Sequence, residues 1–162
     1  MKHHIFVTVG STDFDALIQA ADRLAPTLDA EGVMQIGHGT YNPVHWPHFR
    51  FAPSLDSYYD AANLVIAHGG LGTTIEVLTR GLPLVSVSNP DRYDNHQDDL
   101  LAAMAQEGYL IWCHDLDQLG YAVSSALKAA QNGSLKRYVP SECRIHTVIN
   151  DFLLRGKLPH KV

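Results

Sequence analysis

Only two cysteines, Cys113 and Cys143, occur in 162 residues. They are too few and too far apart for a disulfide framework or a zinc ribbon, which fits a reducing compartment and leaves both as packing residues. No apolar run approaches the roughly 20 residues that a bilayer span requires, and the opening MKHHIFVTVG carries no signal-peptide pattern. A soluble protein of the cytoplasm is the expectation. Charge is sparse too, at 18% of residues with a net charge of −5. It is unevenly spread: residues 133–162 hold six lysines and arginines against two acids, and the rest hold six against fifteen. So acidic a body lacks the broad basic face that nucleic acid demands, so no nucleic-acid partner is expected. The basic end reads either as an ordinary solvated helix or as a patch beside an anionic surface or acidic partner.

What is present suits one globular domain spanning residues 1–162. At this length folding buries roughly 70% of the unfolded surface, and 46% of the residues are hydrophobic. Short β-branched runs alternate with stretches of helical period, the pattern of parallel strands joined by crossover helices. The runs predict strands over 4–9, 33–37, 49–52, 63–68, 83–88 and 109–113. Helices are predicted over 14–30, 54–62, 73–80, 95–107 and 115–131. A last amphipathic helix, 141–155, places Ile145, Val148, Ile149, Phe152 and Leu153 on one face. The fold class is therefore α/β, a doubly wound, Rossmann-like parallel sheet, in which ligands bind outside the carboxyl ends of the strands.

The loops at those ends carry the chemistry. After the first strand comes GSTDFD, where Gly10 lets the backbone turn and Ser11 and Thr12 offer hydroxyls and amides. After the fourth comes HGGLGTTIE, in which Gly69, Gly70 and Gly72 permit close approach and a helix begins near Thr73 and Thr74. A helix start presents unpaired N–H groups and partial positive charge, so it can hold a diphosphate without lysine or metal. A tight turn capped by the box Thr73-x-x-Glu76 explains the same residues. There is no G-x-x-x-x-G-K-[ST], and Ile75 stands where a dinucleotide fingerprint has its third glycine. Asp13-Phe14-Asp15 and Asp115-Leu116-Asp117 match the D-x-D of cation-dependent transferases, yet both precede helices, where aspartate serves capping. His45 and His48 have no second cluster at ligand spacing, so no metal site or other cofactor is expected.

The longer run HGGLGTTIEVLTRGLPLVSVSNPDRYDNHQDDL resembles the C-terminal, donor-binding half of GT-B glycosyltransferases of family 28. The features that carry the likeness are the Gly-rich loop, a helix glutamate at Glu76, the Gly81–Pro83 turn, and the polar helix opening at Asn95–Gln97. The opening IFVTVGSTDFDALI is similar to that of the small donor-binding subunits of two-chain glycosyltransferases, in dolichol-linked oligosaccharide synthesis and in bacterial exopolysaccharide assembly. The likeness covers residues 4 to about 113. It implies a single GT-B C-terminal-type domain that binds a UDP-sugar and acts with a membrane-anchored acceptor-binding subunit on a lipid-linked saccharide acceptor. Such a chain would be recruited to the cytoplasmic face of the membrane.

The resemblance also implies roles. Gly10, Ser11, His68, Gly69, Gly70, Thr73 and Thr74 would surround the diphosphate, and Glu76 would accept hydrogen bonds from the ribose. Asn95, His96 and Gln97 would contact the transferred sugar, or simply cap their helix. Phe51, Pro53 and Ser54 would line the uracil pocket. No catalytic base is assigned in this chain, and helix 141–155 is the candidate for holding the partner. A non-catalytic nucleotide-binding or scaffold protein on the same fold is the alternative.

Overall fold

In the computed structural model, which describes residues 2–91 and 95–140 and only the backbone of residues 95–97, six short apolar runs pair into one parallel sheet. The elements in chain order are β1 (His3–Thr8), α1 (Asp15–Leu24), β2 (Ala30–Gln35), β3 (His48–Phe49), α2 (Asp56–Ala61) and β4 (Leu64–His68). They continue with α3 (Leu71–Thr79), β5 (Leu84–Val87), α4 (Asn95–Gln106), β6 (Ile111–Cys113) and α5 (Leu119–Gln131). The sheet order is β3-β2-β1-β4-β5-β6. The chain winds outward from β1 to one edge, returns to lay β4 on the other side of β1, and winds outward again. The loops leaving β1 and β4 therefore part in opposite directions, and this switch point is where a doubly wound sheet opens its ligand crevice.

Both faces are covered, which is why the central strands read as continuous apolar runs. Ile5, Val7, Leu64, Ile66 and Val85 pack on the face shared with Leu17 and Ile18 of α1 and Val123 and Ala126 of α5. Phe6, Val65, Ala67 and Leu84 pack on the other face with Tyr59 of α2, Val77 and Leu78 of α3 and Leu101 of α4. Among the described residues no helix is long and apolar enough to cross a membrane.

Several element bounds differ from expectation, each for a local reason. The helix expected over 14–30 stops at Leu24 and passes into a 3-10 turn, Ala25–Thr27. Pro26 in that turn has no N–H to extend the helical ladder. β2 begins three residues earlier than expected because Ala30, Glu31 and Gly32, turn-like in isolation, pair in register with His3, His4 and Ile5. β3 keeps only His48 and Phe49; after them Arg50 turns aside to donate to the carbonyls of Gly37 and Gly39. The expected helix 141–155, its proposed partner contact and Cys143 lie outside the described residues.

The loop from β2 to β3 has no helix and folds back on the sheet. Trp46, 9% exposed, lies across Gly32, where an added Cβ would stand 2.3 Å from the indole. Gly32→Ala is accordingly expected to lower stability by about 1–3 kcal/mol, the range for overpacking a filled site. The measurement is the urea midpoint at constant slope; an unchanged midpoint would show that the indole does not need that space.

Candidate functional site

The carboxyl ends of β1 and β4 bring the two glycine loops into contact through one side chain. Gly10 turns the chain out of β1 at φ 62°, in the left-handed region that favours glycine. A Cβ there would lie 3.0 Å from His68 Cε1 and 3.7 Å from Thr73 Oγ1. A Cβ on Gly70 would lie 2.4 Å from His68 Nε2. The bare backbone thus makes room for the His68 imidazole, which closes β4 between the two loops. Gly10, His68, Gly70 and Thr73 form one surface, with Gly69 buried behind it and Ser11 exposed at its rim.

The start of α3 corrects the expected boundary. Gly70, extended at φ −66° and ψ 134°, is the N-cap, no side chain caps the helix, and the first helical residue is Leu71 rather than Thr73. The capping box Thr73-x-x-Glu76 is therefore not formed. The first N–H groups of a helix have no carbonyl one turn earlier, so the amides offered here are those of Leu71, Gly72 and Thr73. Thr74 is different: its N–H donates to the Gly70 carbonyl at 3.0 Å and its hydroxyl donates to the same oxygen at 2.9 Å. Both donors of Thr74, expected beside the diphosphate, are turned onto the start of the helix.

Gly10 also contributes shape rather than a donor. Its N–H donates to Thr8 Oγ1 at 3.0 Å, and that hydroxyl donates to the buried Gln35 Oε1 at 2.6 Å. Loop β1–α1 is braced from the other side by Asp15, whose carboxylate accepts from the Thr40 N–H at 3.0 Å and the Thr40 hydroxyl at 2.6 Å. Burial works against the Asp15 charge, but the Thr40 bonds and the Tyr41 amide outweigh it and hold the carboxyl below its ordinary range. Asp115 likewise accepts from the Asp117 N–H at 2.9 Å and opens a 3-10 turn. Both aspartates thus have local structural work, and among the described residues no group of three or more His, Cys, Asp or Glu is placed to hold a metal ion.

Glu76 stands in the second turn of α3. Its Oε2 accepts from the Tyr59 hydroxyl at 3.3 Å and its Oε1 lies 3.6 Å from Arg80 Nη2. Phe51, half exposed, meets His38 edge-on at 4.9 Å between centroids. Pro53 is exposed beside it. Ser54 is occupied: its hydroxyl donates to Asp56 Oδ2 at 2.7 Å and accepts from the Asp56 N–H at 3.1 Å, opening α2. Asn95, His96 and Gln97 open α4, and their side chains lie outside the described residues. The β5 loop reaches this end of the sheet through Asn89, which donates to the Asp13 carbonyl at 3.4 Å. A cavity of about 270 Å³ opens between them, lined by Asp13, Phe14, Asp15, Ala16, Asn89 and Asp91.

Leu71, Tyr59 and Arg80 escaped the reading of the sequence, and Gly72 was read only as a place of close approach. The signal for Arg80 was present in its i,i+4 spacing from Glu76; nothing local marks which of Tyr58 and Tyr59 turns inward.

Residues 4–151 match the glycosyltransferase family 28 C-terminal domain. The chain is 37% identical over 123 residues to the UDP-N-acetylglucosamine transferase subunit ALG13 of Homo sapiens, covering 67% of this chain and 11% of that protein. It is 31% identical over 111 residues to the UDP-N-acetylglucosamine--N-acetylmuramyl-(pentapeptide) pyrophosphoryl-undecaprenol N-acetylglucosamine transferase of Moorella thermoacetica, covering 68% of this chain and 27% of the other. Among solved structures, spinosyn forosaminyltransferase SpnP superposes with a TM-score of 0.66 at 16% identity, over 83% of this chain and 37% of that one. That is a likeness of fold, of the GT-B type. The chain thus spans about a tenth of the human relative and about a quarter of the bacterial one.

Proposed function

We propose, from the premise that this chain belongs to the glycosyltransferase family 28 C-terminal domain family, that it is the UDP-sugar-binding subunit of a two-component inverting glycosyltransferase. A lipid-linked saccharide is the acceptor, and a membrane-anchored partner chain presents it at the cytoplasmic face. The observation that carries this reading is the convergence of Gly10, His68, Gly70 and Thr73 on one surface at the switch point, beside the first amides of α3. A diphosphate fits such a surface: N–H groups and the helix dipole supply the positive potential, and bare backbone allows contact distance. No cation takes part in this arrangement.

In the reaction a hydroxyl of the acceptor attacks the anomeric carbon from the face opposite UDP, and the bond to the diphosphate oxygen breaks with inversion. Negative charge grows on that oxygen in the transition state. Amides already aimed there stabilise it without reorganisation. Glu76 accepts from the ribose hydroxyls, and Asn95, His96 and Gln97 orient the sugar. The attacking hydroxyl needs a base, which this reading assigns to the partner. UDP-N-acetylglucosamine is the first donor to test, since both curated relatives are named for N-acetylglucosamine transfer.

Calorimetry in EDTA is the test. UDP and UDP-N-acetylglucosamine are expected to bind at one site with an affinity that added magnesium leaves unchanged, while the chain alone turns over a lipid-linked acceptor poorly. Absence of binding would remove the reading; full turnover by the purified chain would overturn the division of labour between two subunits.

A further inference from the structure

We propose that Tyr59 and Arg80 are positioning residues that fix the Glu76 carboxylate for a vicinal diol and so set a preference for ribonucleotides over nucleotides lacking ribose hydroxyls. This rests on the nucleotide reading above. A glutamate on a helix surface samples many rotamers, and ordering it on binding carries an entropic cost. Here each oxygen faces its own group: Oε2 accepts from the Tyr59 hydroxyl at 3.3 Å, and Oε1 forms an ion pair with the Arg80 guanidinium at 3.6 Å.

Neither group is loose. Tyr59 is 1% exposed and its ring meets Phe6 edge-on at 5.3 Å, so its hydroxyl is fixed by the core and the carboxylate must come to it. The Arg80 guanidinium stands 4.8 Å over the same ring, is paired with Asp56, and lies 3.8 Å from Asp60. Burial and the neighbouring Glu76 charge push the Tyr59 phenol up from its ordinary range, so it stays a donor throughout the working pH range.

The stoichiometry fits the ligand. An ionised carboxylate has about four acceptor positions; Tyr59 takes one on Oε2 and the Arg80 charge faces Oε1 without a hydrogen bond, which leaves at least one on each oxygen. A ribose supplies two hydroxyl donors side by side. The clamp therefore leaves the number of acceptors, at the spacing of one carboxylate, that a cis-diol requires.

The alternative is that Tyr59 and Arg80 merely tie α2 to α3, and the two differ in what they do to ribose selectivity. The experiment measures binding of UDP and of 2′,3′-dideoxyuridine diphosphate to the intact chain and to Glu76→Ala, Tyr59→Phe and Arg80→Gln, with thermal midpoints alongside. The native chain is expected to prefer UDP, and Glu76→Ala to erase the preference. Tyr59→Phe, which removes one oxygen atom, should weaken UDP about three- to tenfold, the worth of one hydrogen bond, with the dideoxy analogue unaffected; Arg80→Gln should act in the same direction. If Tyr59→Phe and Arg80→Gln keep the full preference, or weaken both nucleotides equally, the positioning role is overturned while the nucleotide site stands. If the native chain binds neither nucleotide, the site itself falls and the positioning role with it.

Discussion

Gly70→Ala is expected to weaken UDP binding about 10- to 100-fold, the 1–3 kcal/mol of an overpacked site converted to affinity, whereas Gly72→Ala two residues away should change it by no more than about threefold. The contrast follows from what each new methyl meets. Gly70 has backbone angles that alanine adopts readily, so the backbone itself is not strained. Its Cβ, however, would stand 2.4 Å from His68 Nε2 and 3.0 Å from Cδ2, while a Cβ on Gly72 meets nothing within 4 Å. The imidazole has to move, and it already stands against Gly10 on the surface proposed for the diphosphate, so its movement disturbs that surface. Because the damage passes through one ring, Gly70→Ala combined with His68→Ala should bind better than Gly70→Ala alone, a coupling that a double-mutant cycle measures. Equal affinities for the Gly70 and Gly72 variants would mean that the ring and the glycines do not form the seat.

The order of strands and helices, and the meeting of the loops after β1 and β4 at one end of the sheet, were legible because parallel strands buried on both faces leave unbroken apolar runs. Boundaries were less so. The Thr73-x-x-Glu76 pattern drew the helix start two residues late, because a glycine N-cap that makes no side-chain bond leaves no signature in the sequence. Roles at the site divided along the same line. Gly10 and Gly70 were recognisable as places of close approach, but what approaches them first is His68, and that depends on β4 lying beside β1 in register. Thr74 read as a donor from its residue type, and only the fold shows both its donors turned onto Gly70. Tyr59 is 17 residues from Glu76 and reaches it only because α2 and α3 share one face of the sheet.

Replacing Asp22 is expected to have the largest effect on stability, although nothing in the sequence marks this residue. It is 1% exposed on α1, and its carboxylate accepts from the Tyr41 hydroxyl at 2.7 Å, the Val44 N–H at 3.1 Å and the His45 N–H at 2.9 Å. These bonds fold the β2–β3 loop back and seat Trp46 over Gly32. Asp22→Ala leaves several donors without an acceptor, at a cost of about 3 kcal/mol, or a fall of roughly 10 °C in melting temperature for a domain of this size. Burial raises the Asp22 pKa, yet the hydrogen bonds from His45, Tyr41 and Val44 outweigh it and hold the carboxyl below its ordinary range. A group whose pKa is lower in the folded chain contributes its full stability above the unfolded value, about 3.9, and loses it as pH falls through the folded one. Asp22→Asn keeps one acceptor oxygen but cannot titrate. Its deficit relative to the native chain should therefore be largest at neutral pH and shrink below about pH 4. Urea midpoints from pH 7 to pH 3 give the difference directly, with Asp15 and Asp56 common to both proteins; a deficit that stays constant over that range would show that the Asp22 carboxylate is not what holds the loop.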